Sequence, residues 1–300
     1  HEKVDVMEAW QNKGSTPCFT CAFFRRGATN RKAKELGFKN VPLETLPSQG
    51  LFYPVGTKIV IKAASGDEIK HWSTIDENDG YNIDDMLNFI MERCVKIVIP
   101  NTRASHKDLK DIDRFWLLFA VREFTFKDGE NKLYADIPVG NGSERVEVVK
   151  DIINYYKPTD KMMKFYDPEN RCFSFRFKDG EEVTLYFPNV GVSSFLKNYR
   201  ILKEQQRQTL DEDFARYAIF LFPDWRGLTN ERYEAEQQKS HGGWSHQKIS
   251  LLSKFVDMVK ESVNPSMTVE TSAGEVTVPL NFRGGLKAIF LIPDILDELI

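Results

Sequence analysis

The sequence predicts an α+β fold in which antiparallel β-hairpins pack against amphipathic helices. Apolar and polar residues alternate from Thr57 to Lys62, as in a strand with one buried face. The pairs Asp128-Gly129 and Asp179-Gly180 lie between alternating residues and are typical of hairpin turns. Apolar residues recur at helical spacing between Tyr81 and Cys94, which indicates an amphipathic helix.

The length and composition of the chain restrict the classes of protein to which it can belong. A chain of 300 residues suffices for one large or two medium domains, and its 22 phenylalanines predict an aromatic-rich core. The formal net charge of −3 does not favour nucleic acid or an anionic membrane as a partner. No apolar run approaches the ~20 residues of a membrane span, and the charged start HEKVDVMEAW lacks a signal-peptide core. Four cysteines are too few for a secreted disulfide scaffold, which favours synthesis in a reducing cytoplasm.

Three segments are predicted along the chain. Residues 1–40 form an N-terminal arm with a C-x-x-C pair, and residues 41–190 form an α+β core domain with two hairpins. Residues 191–300 form a mainly helical domain that closes with a β-hairpin.

The core domain is predicted to begin with turns, a strand and two helices. Prolines and glycines between Val41 and Gly56 favour extended segments joined by turns. The strand Thr57–Lys62 follows, and Asp67 is predicted to cap a short helix. Asn82 is predicted to cap the helix that ends at Cys94, whose thiol should lie in the core.

The next helix is predicted to begin after Ser105. Its buried stripe is predicted to comprise Leu109, Ile112, Phe115, Trp116 and Phe119. Its solvent-facing charges are predicted to be Lys107, Asp108, Asp111 and Asp113.

The middle of the chain is predicted to contain two similar hairpins. Phe124–Glu130 and Phe175–Glu181 share the pattern Phe-x-Phe-Lys-Asp-Gly-Glu. A helix near Val146–Tyr156 is predicted to separate them. Either two good hairpins coincide or a module is duplicated, and we favour coincidence.

The last third is predicted to be mainly helical, with a mobile loop and a closing hairpin. The predicted helices begin at Ser193 or Ser194 and span Leu210–Phe222, Asn230–Lys239 and Ile249–Val263. The loop is Ser240–His246, the hairpin is Met267–Phe282, and Ala288–Ile292 is predicted to be extended.

The run LPSQGLFYPVGTKIVIKAASGDEIKHWSTID, followed by IDDMLNFIMERCV, resembles the baseplate hub and assembly proteins of T4-like contractile-tailed bacteriophages. In that family a leucine-proline-small-x-glycine-x-x-tyrosine-proline run opens the domain. The matching residues here are Leu46, Pro47, Ser48, Gly50, Tyr53, Pro54 and Gly56. The similarity covers about residues 41–126, with a weaker match near residues 268–290.

The resemblance implies a structural or assembly role in the tail baseplate, without catalysis or a cofactor. The implied partners are other phage baseplate or tail proteins in a multi-subunit assembly. The implied locations are the virion and, during assembly, the host cytoplasm. No dinucleotide-binding, P-loop, serine-hydrolase or zinc-protease motif is present in the sequence, which agrees with the expectation of a non-enzyme.

Candidate partner-binding residues are Arg25, Arg26, Phe52, Tyr53 and Trp244, because arginine and aromatic side chains are frequent interface anchors. Cys18 and Cys21 supply half of a zinc site, and no second pair completes it, so no metal is assigned. An alternative remains open: a zinc-containing, nucleic-acid-binding or regulatory protein that uses Cys18, Cys21 and the basic arm.

Overall fold

The computed structural model describes residues 37–126, 131–140, 142–155, 157–261 and 266–291. It confirms the predicted fold class, since eight helices and several antiparallel sheets occur in the described residues. Within the same ranges, no helix combines the length and apolar character needed to span a membrane.

The first sheet has three antiparallel strands in the order β1-β2-β3. They are β1 (Phe38–Val41), β2 (Lys58–Lys62) and β3 (Val95–Val98). The predicted strand at β2 is confirmed, but Val60 is buried as well as its two neighbours, so both faces of the strand are covered.

Helices α1 (Gly66–Trp72) and α2 (Gly80–Cys94) follow β2 and precede β3. The predicted caps are wrong by two or three residues, because each helix begins earlier than expected. Ser65 forms a capping box with Glu68 at α1. Asp79 caps α2 by accepting a hydrogen bond from the Tyr81 amide at 2.9 Å. The Cys94 thiol is fully buried, as predicted.

Helix α3 (Asp111–Thr125) begins shortly after a 3-10 turn at His106–Asp108. The hairpin predicted around Asp128-Gly129 is wrong, because α3 includes Phe124 and Thr125. Residues 127–130 lie outside the described ranges. The hairpin forms later, between β4 (Tyr134–Val139) and β5 (Gly142–Glu147).

The helix predicted near Val146–Tyr156 is also wrong. The described residues of this range, 146–155, instead complete β5, form a 3-10 turn at Lys150–Ile152 and contribute β6 (Ile153–Asn154). Strand pairing at both ends of the range, of Val146 and Glu147 with β4 and of Ile153 and Asn154 with Met267 and Ser266, uses the backbone groups that a helix would need.

The hairpin predicted around Asp179-Gly180 is confirmed. Strands β7 (Tyr166–Asp167), β8 (Cys172–Arg176) and β9 (Glu182–Leu185) form an antiparallel sheet, preceded by the short helix α4 (Asp160–Met163). Gly180 has a φ of +91°, which suits the turn.

Four helices follow, at the places where the sequence predicts helices. They are α5 (Val190–Gln205), α6 (Glu212–Ala218), α7 (Asn230–Gly242) and α8 (His246–Glu261). Because α7 extends to Gly242, most of the predicted mobile loop is helical or turns directly into α8.

The closing hairpin is confirmed as β10 (Ser266–Thr271) and β11 (Gly274–Pro279), with β6 on the other side of β10. The extended stretch predicted at Ala288–Ile292 is wrong over its described residues, 288–291. Residues Leu286–Ile289 form a 3-10 turn, whose start is fixed because the Trp72 Nε1 donates to the Leu286 carbonyl at 2.8 Å.

The buried apolar side chains form three clusters. Cluster 1 contains residues of the first sheet, α2, α3, the β4–β5 hairpin and the segment Met267–Phe290, which we call the closing segment. Cluster 2 surrounds Phe173 and Phe255, and cluster 3 surrounds Tyr233. Cluster 1 therefore draws residues from both sides of the predicted boundary at residue 190; the division into domains stays a prediction.

Candidate interaction surface

The family-like run folds as a tight loop at Leu46–Gly56, which we call the motif loop. Successive turns close it, with amide-to-carbonyl distances of 2.8 Å from Gln49 to Leu46 and 3.1 Å from Tyr53 to Gly50. Gly50 has a φ of +76°, and a Cβ there would lie 2.8 Å from the Leu43 Cβ. Glycine is therefore required at this position by both backbone conformation and space.

The motif loop is fastened to α3 through the buried carboxylate of Asp113. The Ser48 amide donates to Asp113 Oδ1 at 2.8 Å, and the Ser48 hydroxyl donates to Oδ2 at 2.7 Å. The Tyr53 hydroxyl also donates to Oδ2, at 2.8 Å. The prediction that Asp113 faces solvent is thus wrong, because the motif loop covers it and supplies its hydrogen-bond donors.

Burial changes the acid–base properties of this site. It raises the pKa of Asp113 to about 6, although hydrogen bonds from Ser48 and Tyr53 and the charge of Lys110 oppose it. Burial also lowers the pKa of Lys110 to about 8. Burial and the Asp113 charge raise the pKa of Tyr53, so its phenol stays neutral and remains a donor.

Phe52 and Tyr53 join two hydrophobic clusters. Phe52 lies in cluster 2, with its ring centroid 4.6 Å from that of Phe187, whereas Tyr53 lies in cluster 1. Each is only 3% exposed. Neither side chain is accessible to a partner protein in this structure. Both instead hold the motif loop against the rest of the fold.

The motif loop ends in an exposed turn, Pro54-Val55-Gly56, which we call the Val55 turn. The Val55 side chain is 83% exposed. The amide and hydroxyl of Thr57 both donate to the Pro54 carbonyl, at 3.1 and 2.7 Å. Gly56 has a φ of +82°, and a Cβ there would lie 3.0 Å from the Pro100 side chain. The turn therefore exposes the Val55 side chain on a backbone that hydrogen bonds from Thr57 and the contact with Pro100 hold in place.

A second polar junction connects Trp225 and Arg226 to the 3-10 turn at His106–Asp108. Arg226 donates to both carboxylate oxygens of Asp108, at 2.6 and 2.7 Å, and to the Arg103 carbonyl at 3.0 Å. The Trp225 Nε1 donates to Asp108 at 3.1 Å. Asp108 is buried, so the prediction that it faces solvent is wrong.

Trp244 packs between clusters 2 and 3 and is half-buried. Its ring centroid lies 5.8 Å from that of Phe214, and the Lys248 Nζ lies 4.4 Å from the ring centre. Its indole nitrogen is buried and has no hydrogen-bond partner among the described residues. Most of the indole is therefore committed to internal packing.

The other predicted site residues lie outside the described ranges. They are Arg25, Arg26, Cys18 and Cys21. Across the ranges that are described, no group of three or more His, Cys, Asp or Glu side chains is arranged to hold a metal ion.

The position of Asp113 could have been found from helical periodicity. Asp113 lies four residues before Leu117 and eight before Val121 on the same helix, and both of these side chains are fully buried. The predicted buried stripe includes Ile112 and Phe115 and leaves out Asp113, but the structure shows Ile112 and Phe115 only half-buried. A charged residue on the buried face of a helix signals a polar partner elsewhere in the fold.

Comparison with protein-family models, with curated proteins and with solved structures gave no match to this chain. The site is therefore interpreted from its own geometry. Its main features are a loop fastened at Ser48, Phe52 and Tyr53, and an exposed valine at its end.

Proposed function

We propose that this protein is a structural or assembly component of a contractile phage tail baseplate, at or near the central hub. It acts through protein–protein contacts, and its partners are other baseplate or tail proteins. Its place is the virion, with the host cytoplasm as the site of assembly. The observation that carries the proposal is that the family-like run forms a braced loop whose aromatic residues are buried and whose Val55 is 83% exposed.

The Val55 turn has the physical properties of a protein contact. Burying a valine side chain fully contributes roughly 1.5–3 kcal/mol. Because hydrogen bonds to Asp113 and packing of Phe52 already order the loop, little conformational entropy is lost on binding. The exposed Lys58 lies next to the turn and favours a partner with an apolar socket and acidic groups at its edge.

The location is tested by mass spectrometry of particles and tail intermediates from the phage that encodes the chain. A hub component is expected in baseplates and in finished tails, whereas a transient assembly factor is expected only in intermediates. Absence of the chain from both fractions would contradict the proposal.

The contact is tested by the substitution Val55→Glu, with Val149→Glu as a matched control. Val149 is a second exposed valine in a connecting segment, at 41% exposure. Both variants are expected to keep their stability within about 0.5 kcal/mol, because neither side chain is buried. Val55→Glu is expected to reduce incorporation into baseplates about ten-fold or more, and Val149→Glu to leave it unchanged. Normal incorporation of Val55→Glu would exclude the Val55 turn as a contact.

A further inference from the structure

A half-open cavity of about 410 Å³ lies among helices α5, α6, α7 and α8. This volume falls within the range of about 300–1,000 Å³ that is usual for small-molecule sites. The walls are almost entirely apolar. Its lining includes the apolar side chains of Leu196, Leu210, Ala215, Ile219, Phe220 and Val256.

The charged residues that line the cavity are all cations: Lys197, Arg200 and Arg216. Two of them have close partners on neighbouring elements, since Lys197 pairs with Asp84 at 3.1 Å and Arg200 pairs with Glu212 at 2.7 Å. Lys197 also contacts Asp85.

Of the three cations, Arg216 has the longest ion-pair distance. Its Nη1 lies 3.9 Å from Asp213 Oδ1, at the limit of an ion pair, and its side chain is 41% exposed. An anionic group at the mouth of the cavity can therefore reach a guanidinium without displacing a short ion pair.

We propose that this cavity binds a single-chain fatty acid, with the alkyl chain between the helices and the carboxylate beside Arg216. An alkyl chain needs no hydrogen bonds from apolar walls. A sugar or a nucleotide would leave several polar groups unpaired there, which is costly. The cationic lining selects an anionic end group over a neutral or cationic one.

Isothermal titration calorimetry of the full chain with three twelve-carbon amphiphiles tests the proposal. Dodecanoate is expected to bind at one site in the micromolar range. Dodecanol is expected to bind roughly three-fold more weakly, and dodecyltrimethylammonium more weakly still. Arg216→Gln is expected to remove the preference for dodecanoate over dodecanol. Arg176→Gln, at an exposed arginine with one carboxylate partner, is expected to leave the preference intact.

Filling the cavity gives an independent test. Ala215→Phe places a ring in the cavity and is expected to weaken dodecanoate binding about ten-fold or more. Ala235→Phe, at an exposed position on α7, is expected to leave binding unchanged. Thermal unfolding establishes that both variants are folded.

Three results would overturn the proposal. They are absence of wild-type binding at about 1 mM dodecanoate, equal affinity for all three amphiphiles, and equal effects of the two phenylalanine variants. Flotation with phosphatidylglycerol vesicles separates a free fatty acid from a bilayer lipid. The protein is expected not to float, and flotation that Ala215→Phe abolishes would assign the cavity to membrane lipid instead.

Discussion

Asp113 connects the motif loop to the rest of the protein, and its protonation should be visible in the stability of the fold. Burial raises its pKa from 3.8 to about 6 in the folded protein. Between these two values the folded state retains a proton that the unfolded state has released. The free energy of unfolding therefore falls as the pH rises through this window and levels off above it, by roughly 3 kcal/mol in total.

Replacing Asp113 with asparagine removes this titration. We expect the wild type to lose roughly 3 kcal/mol relative to Asp113→Asn between about pH 3 and pH 7. Urea unfolding at several pH values measures the difference, and titrations common to both proteins cancel. Asp179→Asn, at an exposed turn, should follow the wild-type pH profile. A constant difference between the wild type and Asp113→Asn would mean that the Asp113 carboxyl titrates at the same pH in both states.

At the scale of elements, the start of α5 packs at Gly191 directly against the Trp225 side chain, without space for a further side chain. A Cβ on Gly191 would lie 2.2 Å from the Trp225 Cγ. The Trp225 indole is held in place, because its Nε1 donates to Asp108 at 3.1 Å and the Arg226 guanidinium lies 4.9 Å from its ring centre. The position therefore demands glycine, although alanine is normally the better helix former.

Gly191→Ala is expected to destabilise the protein by about 1–3 kcal/mol through overpacking. Gly80→Ala, in the first turn of α2, has no atom within 4 Å of the added Cβ and should be neutral or slightly stabilising. In the background of Trp225→Gly, which removes the Trp225 Cγ, Cδ1 and Cβ that lie within 2.7 Å of the added Cβ, the alanine at position 191 should cost much less. Additive losses in the double variant, measured by urea unfolding, would contradict the packing explanation.

The sequence predicted elements well where local signals agree with the packing. Asp179-Gly180 forms the expected hairpin because the residues on both sides alternate and pair. Asp128-Gly129 carries the same signal, but the apolar face of α3 continues through Phe124 and extends the helix. The site was harder to predict, because the partners of the Asp113 carboxylate, Ser48 and Tyr53, lie at least 60 residues away in sequence. Short-range periodicity contains no information about such partners.

At the scale of the whole molecule, cluster 1 ties the closing segment to the first sheet. Met267 and Phe290 are buried in the same cluster as Ile61, and the Trp72 indole donates to the Leu286 carbonyl at 2.8 Å. The backbone also joins the two halves, since the Arg283 amide donates to the Tyr134 carbonyl at 2.8 Å. Residues on both sides of position 190 are therefore needed to complete one core.

A chain cut at this position should not fold as two independent halves. We expect residues 1–190 alone to lack a cooperative thermal transition, because cluster 1 loses the side chains that the closing segment supplies. Co-expression with residues 191–300 should restore a cooperative transition, since the two fragments can then rebuild cluster 1. Circular dichroism melts of each fragment and of the purified pair measure this. A cooperative melt of residues 1–190 near the temperature of the full chain would show instead that the first half is a domain in its own right, to which the closing hairpin adds only surface contacts.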